Sequence, residues 1–343
     1  MVIGGNQMEI NSHKQLAAFA DELIIELQHI LKNWMLFNFK KSGVISNARL
    51  LWAFSAAFNL KVVPDLNLAD KTYYKIVNHF IDIDFGGVFL TVDDHQQPND
   101  TKKEIYALAC SIYAFSEYFM ACGDELVKEH AVAMYRDLVK YGHDQENGGY
   151  FEAFNRSWGT PADFFGDKAS AENKTMNTQL QVFEAFSNLY RIWPDEDLKI
   201  LIVELLNDFS AHVIRAKTSA IVSLGNDLKA AWIMPDAAAV IEHVVLMAAM
   251  KTYTLRTAQT TLTAFTNADS LWDMHKKCWI KAEALISFFY AWQITGDKLF
   301  LKAALKIWNS IKPGPLLKGQ GESCFFFNSR ACLEILKRYS TTQ

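Results

Sequence analysis

An all-α (α/α)6 barrel, a toroid of six helical hairpins with short β excursions on one rim, is the fold this sequence predicts. Three observations lead there. Apolar residues recur at helical spacing over nearly the whole chain, in about twelve segments. Several breaks between segments are so short that consecutive helices must lie antiparallel. One turn motif also occurs twice, at Asp82 and Asp144, about the length of one hairpin plus its connection apart. The whole chain, 1–343, is read as a single domain of this kind.

The elements follow in order. Leu16, Phe19, Leu23, Leu27, Ile30 and Leu31 form the first stripe, behind Asn11 or Ser12 as N-cap. Helical patterns then cover 47–60, 67–82, 101–121, 124–142, 174–192, 195–215, 226–239, 241–265, 276–294, 297–311 and 326–339. Gly123-Asp124, Trp193-Pro-Asp-Glu196 and Gly296-Asp297 are the tight connections. The repeated motif reads Asp82-Ile-Asp-Phe-Gly86-Gly87-Val-Phe89 and Asp144-Gln-Glu-Asn-Gly148-Gly149-Tyr-Phe151. Each copy precedes an extended stretch, a lysine (Lys102 or Lys103; Lys174) and an apolar helix. The glycine pair supplies positive φ and the aspartate accepts amide hydrogen bonds, so a structural turn is the preferred reading.

Composition narrows the function classes. Half the residues are hydrophobic and 13% aromatic, enough for a large core, and only 7 Pro and 16 Gly argue against a loop-rich chain. A formal charge of −4 with no basic block removes the electrostatic basis for nucleic-acid or anionic-membrane partners. Cys110, Cys122, Cys278, Cys324 and Cys332 are odd in number and never form CxxC, which reads as reduced thiols in a cytoplasmic protein. No secretory leader is read at Met1-Val-Ile-Gly-Gly, and no uncharged apolar run of about 18 residues appears; Val240–Met250 is broken by Glu242 and His243. None of the nine histidines has HxH or HExxH spacing, His243 and His275 read as surface or helix-end residues, and no GxGxxG, Walker or GxSxG motif occurs. No metal and no cofactor are therefore expected. With 9 Trp, 12 Tyr and 24 Phe, the chain can line a cleft suited to the apolar faces of sugars, although most aromatics must serve the core.

Six blocks resemble, in order, the N-acylglucosamine 2-epimerase and cellobiose 2-epimerase family. They are Arg49-Leu-Leu-Trp52-Ala-Phe54-Ser55, Lys103-Glu-Ile-Tyr106-Ala107 with Ile112-Tyr113-Ala114, and Lys174-Thr-Met-Asn177-Thr-Gln-Leu-Gln-Val-Phe-Glu184. The others are Ser223-Leu-Gly225-Asn-Asp227-Leu-Lys-Ala-Ala-Trp232, Lys277-Cys-Trp279-Ile-Lys-Ala282-Glu283 and Cys324-Phe-Phe-Phe-Asn328-Ser-Arg330. The resemblance runs from about Arg49 to Glu334. It implies an (α/α)6 barrel that epimerises or isomerises a small saccharide at C2 through an enediolate. Two histidines exchange the proton, as their near-neutral pKa allows. Glutamates and an arginine orient the bases and stabilise the oxyanion.

The same alignment exposes departures. The proton-transfer histidines fall on Asn226 and Phe327, and two flanking histidines on Gln179 and Gln181. A family glutamate becomes Lys229, a tryptophan Cys278, and two glutamines Leu108 and Lys281. Asn, Gln and Phe cannot shuttle a proton at neutral pH, which makes the catalytic residues unknown unless Lys229, Lys281 or a glutamate has taken over. The resemblance carries substrate-binding expectations onto Arg49, Tyr106, Asn177, Glu184, Asp227, Trp232, Trp279, Glu283, Asn328 and Arg330; for Glu184 and Glu283 a structural role is equally open. Rim excursions of the family are also missing or cut, the last to Lys312–Gly321. Three functions stay open: an epimerase or isomerase, a catalytically degenerate saccharide- or ligand-binding barrel, and a glycoside hydrolase using Asp144, Asp227, Glu184 or Glu283. A monomer or homodimer is expected.

Overall fold

The computed structural model describes residues 3–37, 43–159, 174–215, 224–267, 278–311 and 322–340. Among them are twelve α-helices: α1 (Ile3–Phe37), α2 (Val44–Asn59), α3 (Asn67–His79), α4 (Ile105–Cys122), α5 (Glu125–Asp137), α6 (Met176–Ile192), α7 (Glu196–Arg215), α8 (Leu224–Val240), α9 (Val244–Asn267), α10 (Cys278–Thr295), α11 (Lys298–Ile311) and α12 (Glu322–Ser340). A π-turn, Leu138–Gly142, continues α5. Strands β1 (Thr91–Val92) and β2 (Pro98–Asp100) pair antiparallel, as do β3 (Lys103–Glu104) and β4 (Ala153–Phe154). The pairing of Lys103 and Glu104 with Phe154 and Ala153 delays the start of α4 to Ile105, later than periodicity predicts.

The even-numbered helices make a closed ring: α2 packs on α4, α4 on α6, α6 on α8, α8 on α10, α10 on α12, and α12 on α2. Each odd helix from α3 to α11 packs outside the inner helix that precedes it, and α1 covers α12. Inner helices therefore all run one way, with their N-termini at one rim and their C-termini at the other. Burial matches position. Outer helix α11 buries the stripe Phe300, Leu301, Ala303, Ala304, Ile307 and Trp308 and exposes Lys302 and Lys306. Inner helix α4 is long and apolar enough to cross a membrane, yet 72% of it is buried within the protein, between its ring neighbours and α5.

Inner helix α8 carries Pro235 in its interior. Proline removes the N–H that would reach the Ala231 carbonyl. Thr254 on α9 repairs the gap: its Oγ1 donates to Ala231 O and also reaches Met250 O at 3.0 Å. Replacing Thr254 by Val should leave that buried carbonyl without a donor and cost about 1–3 kcal/mol. Urea unfolding would measure it, and an unchanged midpoint would reject the account.

The repeated motif forms two matching turns. Asp82 Oδ1 accepts from the amides of Asp84 and Phe85 at 3.2 and 3.3 Å, and Asp144 Oδ1 from those of Glu146 and Asn147, both at 3.1 Å. Gly86, Gly87, Gly148 and Gly149 all have φ between 66° and 77°. A lysine locks each turn by bridging the aspartate to a glycine carbonyl. Lys103 Nζ donates to Asp82 Oδ2 at 2.8 Å and Gly86 O at 2.7 Å; Lys174 Nζ donates to Asp144 Oδ2 and to Gly148 O at 2.6 Å. Of the two candidate lysines before α4, Lys103 is the one used; Lys102 pairs instead with Asp100 and Glu104.

Burial alone would raise the Asp82 carboxyl, but hydrogen bonds from Arg156 and Lys103 outweigh it and hold it well below the usual carboxylate range. That stabilisation is present above the unfolded carboxylate's pKa and lost as pH falls through the folded value. Both partners of the Lys103–Asp82 pair are buried, with at most 1% side-chain exposure. Lys103→Met should therefore cost about 3 kcal/mol, whereas Lys174→Met, at a more exposed pair, should cost clearly less. Equal thermal shifts in the two variants would contradict this.

Two of the five cysteines are not free thiols. Cys278 at the start of α10 is disulfide-bonded to Cys324 in the first turn of α12, with Cα atoms 5.5 Å apart. Neighbouring inner helices begin at the same rim, and so the ring joins two residues that lie 46 apart in sequence. Cys110, Cys122 and Cys332 are unpaired, as expected.

Candidate functional site

The first two turns of the inner helices bring most of the predicted residues toward one rim. Arg49 on α2 donates to the Tyr106 hydroxyl on α4 at 3.1 Å, and its guanidinium lies over Phe326 and Phe327 of α12, 4.7 and 5.5 Å from the ring centroids. Phe327 in turn meets Trp279 of α10, with centroids 6.3 Å apart. Trp279 rests on Gly225 of α8 so closely that a Cβ there would enter its ring. Arg49, Tyr106, Phe327, Trp279 and Asn226 are all half-buried, which leaves a ring of aromatic and amide groups in reach of solvent.

Beneath them lies a buried ion network. Glu184 on α6 accepts from Arg330 Nη1 of α12 at 3.1 Å and from Lys229 Nζ of α8 at 2.7 Å. Arg330 Nη2 closes against Glu283 Oε1 of α10, and Trp232 Nε1 donates to Glu283 Oε2 at 2.8 Å. Lys229 also donates to Gln181 Oε1 at 3.2 Å. No residue of this network is more than 6% exposed. Two carboxylates face one guanidinium and one ammonium, so the network is formally neutral. Charges this deep are tolerated only when paired.

Among the described residues, the titratable groups of the site are phenol, thiol, ammonium and carboxyl rather than imidazole. Burial pushes the Tyr106 hydroxyl up to about 12 and the Cys110 thiol up to about 11, against the lowering effect of Arg49. Tyr113 is raised well above its ordinary value by burial and by the carboxylates around it. Burial lowers the Lys229 ammonium, and the Glu184 carboxylate opposes that change. Among the described residues, no histidine contributes here. All described histidines lie on outer helices or connections: His130 bonds Tyr73 at 2.9 Å, His143 bonds Glu204 at 2.9 Å, and His243 accepts from the Leu246 amide at the start of α9. His275 and the shortened Lys312–Gly321 segment lie outside the described residues.

Other predicted residues separate from the cluster. Gln179 grips the backbone of Tyr150 from both sides, accepting from its N–H at 2.9 Å and donating to its C=O at 2.7 Å. It thereby fastens the second turn motif to α6. Asn177 is exposed on the first turn of α6. Asp227 faces outward, near Tyr253 of α9, whose hydroxyl is raised to about 12 by burial first and Asp227 second. Asp144 is committed to its turn. Asn328 is 4% exposed, and its Oδ1 has no hydrogen-bond partner among the described residues. Motif comparison passed over Glu152, which accepts from Thr175 N at 2.6 Å and Thr178 Oγ1 at 2.8 Å and so caps α6. Its place directly after the Gly148-Gly149 turn was the available signal.

Charge reversal at Lys229 should expose the balance of the network. Lys229→Glu would set three carboxylates against Arg330 alone, so at least one folded-state carboxyl pKa must rise. A raised carboxyl favours the fold below its unfolded pKa and loses that contribution as pH rises. The variant should gain stability from pH 8 to pH 5, relative to Lys229→Met measured by the same thermal melts. Parallel pH profiles for the two variants would refute the pairing.

Comparisons with known proteins agree with this arrangement. Residues 32–222 match the family model for N-acylglucosamine 2-epimerase (GlcNAc 2-epimerase). That span stops just short of Asn226, so the departures at 226, 229, 278, 281 and 327 all lie beyond it. A cellobiose 2-epimerase of Bacteroides fragilis is 29% identical, over 86% of this chain and 87% of its own length; one from Dictyoglomus turgidum is 26% identical over the same shares. The solved cellobiose 2-epimerase of Bacillus thermoamylovorans superposes with a TM-score of 0.79 at 25% identity, covering 94% of this chain and all of the other. A family 76 alpha-mannanase of Bacteroides thetaiotaomicron, 11% identical with a TM-score of 0.61 over 94% of this chain and 97% of its own, shares the fold alone. With more than half its length matched, this chain belongs to the N-acylglucosamine 2-epimerase family.

Proposed function

We propose that this chain binds a saccharide at the N-terminal rim of its barrel and has lost C2 proton transfer. The observation that carries the reading is the pair Asn226 and Phe327. One is an amide and the other a hydrocarbon, and both occupy the slots from which the family moves a proton. Phe327 covers the guanidinium groups of Arg49 and Arg330, with its centroid 5.5 and 5.4 Å from them. An apolar ring there blocks the approach of a base as well as replacing it. Each general acid–base group lost costs about 10²–10⁴ in rate, and two are gone.

Binding is supported separately. Trp279, Phe327 and Tyr106 are half-buried faces at the rim, and Arg49, Asn226 and the Asn328 amide oxygen supply polar partners for hydroxyls. The carboxylates argue against a hydrolase. Glu184 and Glu283 are both held on Arg330 in full burial, so neither stands free to protonate a leaving group or to meet an anomeric carbon.

Incubation with mannose, N-acetylmannosamine and cellobiose in heavy water should leave C2 undeuterated by NMR, while one of these sugars raises the melting temperature at millimolar concentration. Deuterium at C2 that disappears in Lys229→Met would overturn the reading and assign proton transfer to Lys229.

A further inference from the structure

The opposite rim of the barrel holds a cavity of about 710 Å³. It is formed where the C-terminal turns of α2, α4, α6, α8 and α12 converge, and its lining includes Asn59, Glu117, Asn188, Asp236 and Lys337. Its volume falls within the range of small-molecule sites. Its inner end reaches Glu184 and Trp232, the reverse side of the ion network under the other rim.

Lys337 and Arg338 inside it are already paired. Lys337 Nζ lies 3.2 Å from Glu117 Oε2 and 3.7 Å from Glu334 Oε1, and Arg338 Nη2 is paired with Asp236 Oδ2. Glu117 and Glu334 are 2% and 6% exposed. An anion entering here would meet Glu117, Glu334 and Asp236; a cation would meet Lys337, Arg338 and Arg191. An anion that took Lys337 would break its pairs and strand the buried Glu117 and Glu334, and a cation that took either carboxylate would break the same pairs. A neutral ligand breaks none.

The remaining hydrogen-bonding groups alternate in type. Glu117 accepts from Asn59 Nδ2 at 3.0 Å and from Asn188 Nδ2 at 3.4 Å, which holds both amides in place and leaves their oxygens as acceptors. Carboxylate oxygens and ammonium or guanidinium hydrogens lie next to them. Adjacent hydroxyls, each both donor and acceptor, match such a surface. Leu60, Ile233 and Val240 add apolar wall for C–H faces.

We propose that this C-terminal-rim cavity is a second binding site for a neutral polyhydroxylated ligand, a mono- or disaccharide, separated from the N-terminal-rim site by the Arg330–Glu184–Glu283 network. It rests on the cavity alone and stands whether or not the other rim binds sugar.

Ala239 lines the cavity from an exposed position, so Ala239→Trp should fill the mouth without removing a polar contact or threatening the fold. Calorimetric titration of the full chain with mannose, N-acetylmannosamine and cellobiose would be compared with Ala239→Trp and with Trp279→Ala at the other rim, all checked by circular dichroism. The expected result is at least a tenfold loss of affinity, or loss of one equivalent of bound sugar, in Ala239→Trp, with that component intact in Trp279→Ala. Binding lost only in Trp279→Ala would overturn the second site and leave the N-terminal-rim site standing. Binding lost only in Ala239→Trp would do the reverse. No heat with any of the three sugars in the wild-type chain would overturn both.

Discussion

Arg330 is the residue on which the interior depends. Its guanidinium joins α12 to α6 through Glu184 and to α10 through Glu283, and Glu184 passes the link to α8 through Lys229. Four of the six inner helices thus meet through ions that have almost no access to water. A buried charge is tolerable only with its partners, so each of these side chains fixes the identity of the others. Apolar packing brings the ring together, and the network determines which atoms face each other at its centre.

The network also decides what chemistry the rim can support. In the family pattern the position of Lys229 is acidic, and the rim carries imidazoles that titrate near neutrality. Here the lysine neutralises Glu184, Gln181 takes a hydrogen bond from the same ammonium, and Phe327 lies over Arg49 and Arg330. These changes are coupled. With Lys229 on Glu184 and Arg330 on both carboxylates, the centre is a closed, neutral set of pairs. The rim scaffold is kept in the meantime: both Asp–Gly-Gly turns retain their lysine locks, and Gln179, in a slot that is histidine in the family, clamps the Tyr150 backbone.

Much of this was legible beforehand, in a way that follows range. The helices were visible because apolar periodicity is local, and the twin turns because Asp-x3-Gly-Gly names its own backbone geometry. Lys102 and Lys103 could not be told apart, since neighbouring residues of a strand point to opposite faces and only the pairing of β3 with β4 selects one. The cysteines read as five reduced thiols, and two of them are not, because the spacing of Cys278 and Cys324 means nothing until two ring neighbours begin at the same rim. Asp227 and Asn177 share motifs with buried residues, yet the helical turn points them elsewhere.

The sequence by itself determined the helical ring, its turn chemistry and its membership in a sugar-converting family, because these are written in short-range pattern and in blocks of ordered residues. Only the tertiary structure decided that Lys229 neutralises Glu184, that Cys278 reaches Cys324, and that a cavity opens at the far rim. Each of those facts joins residues from different inner helices, and closing the ring is what brings such residues within a few ångströms of one another.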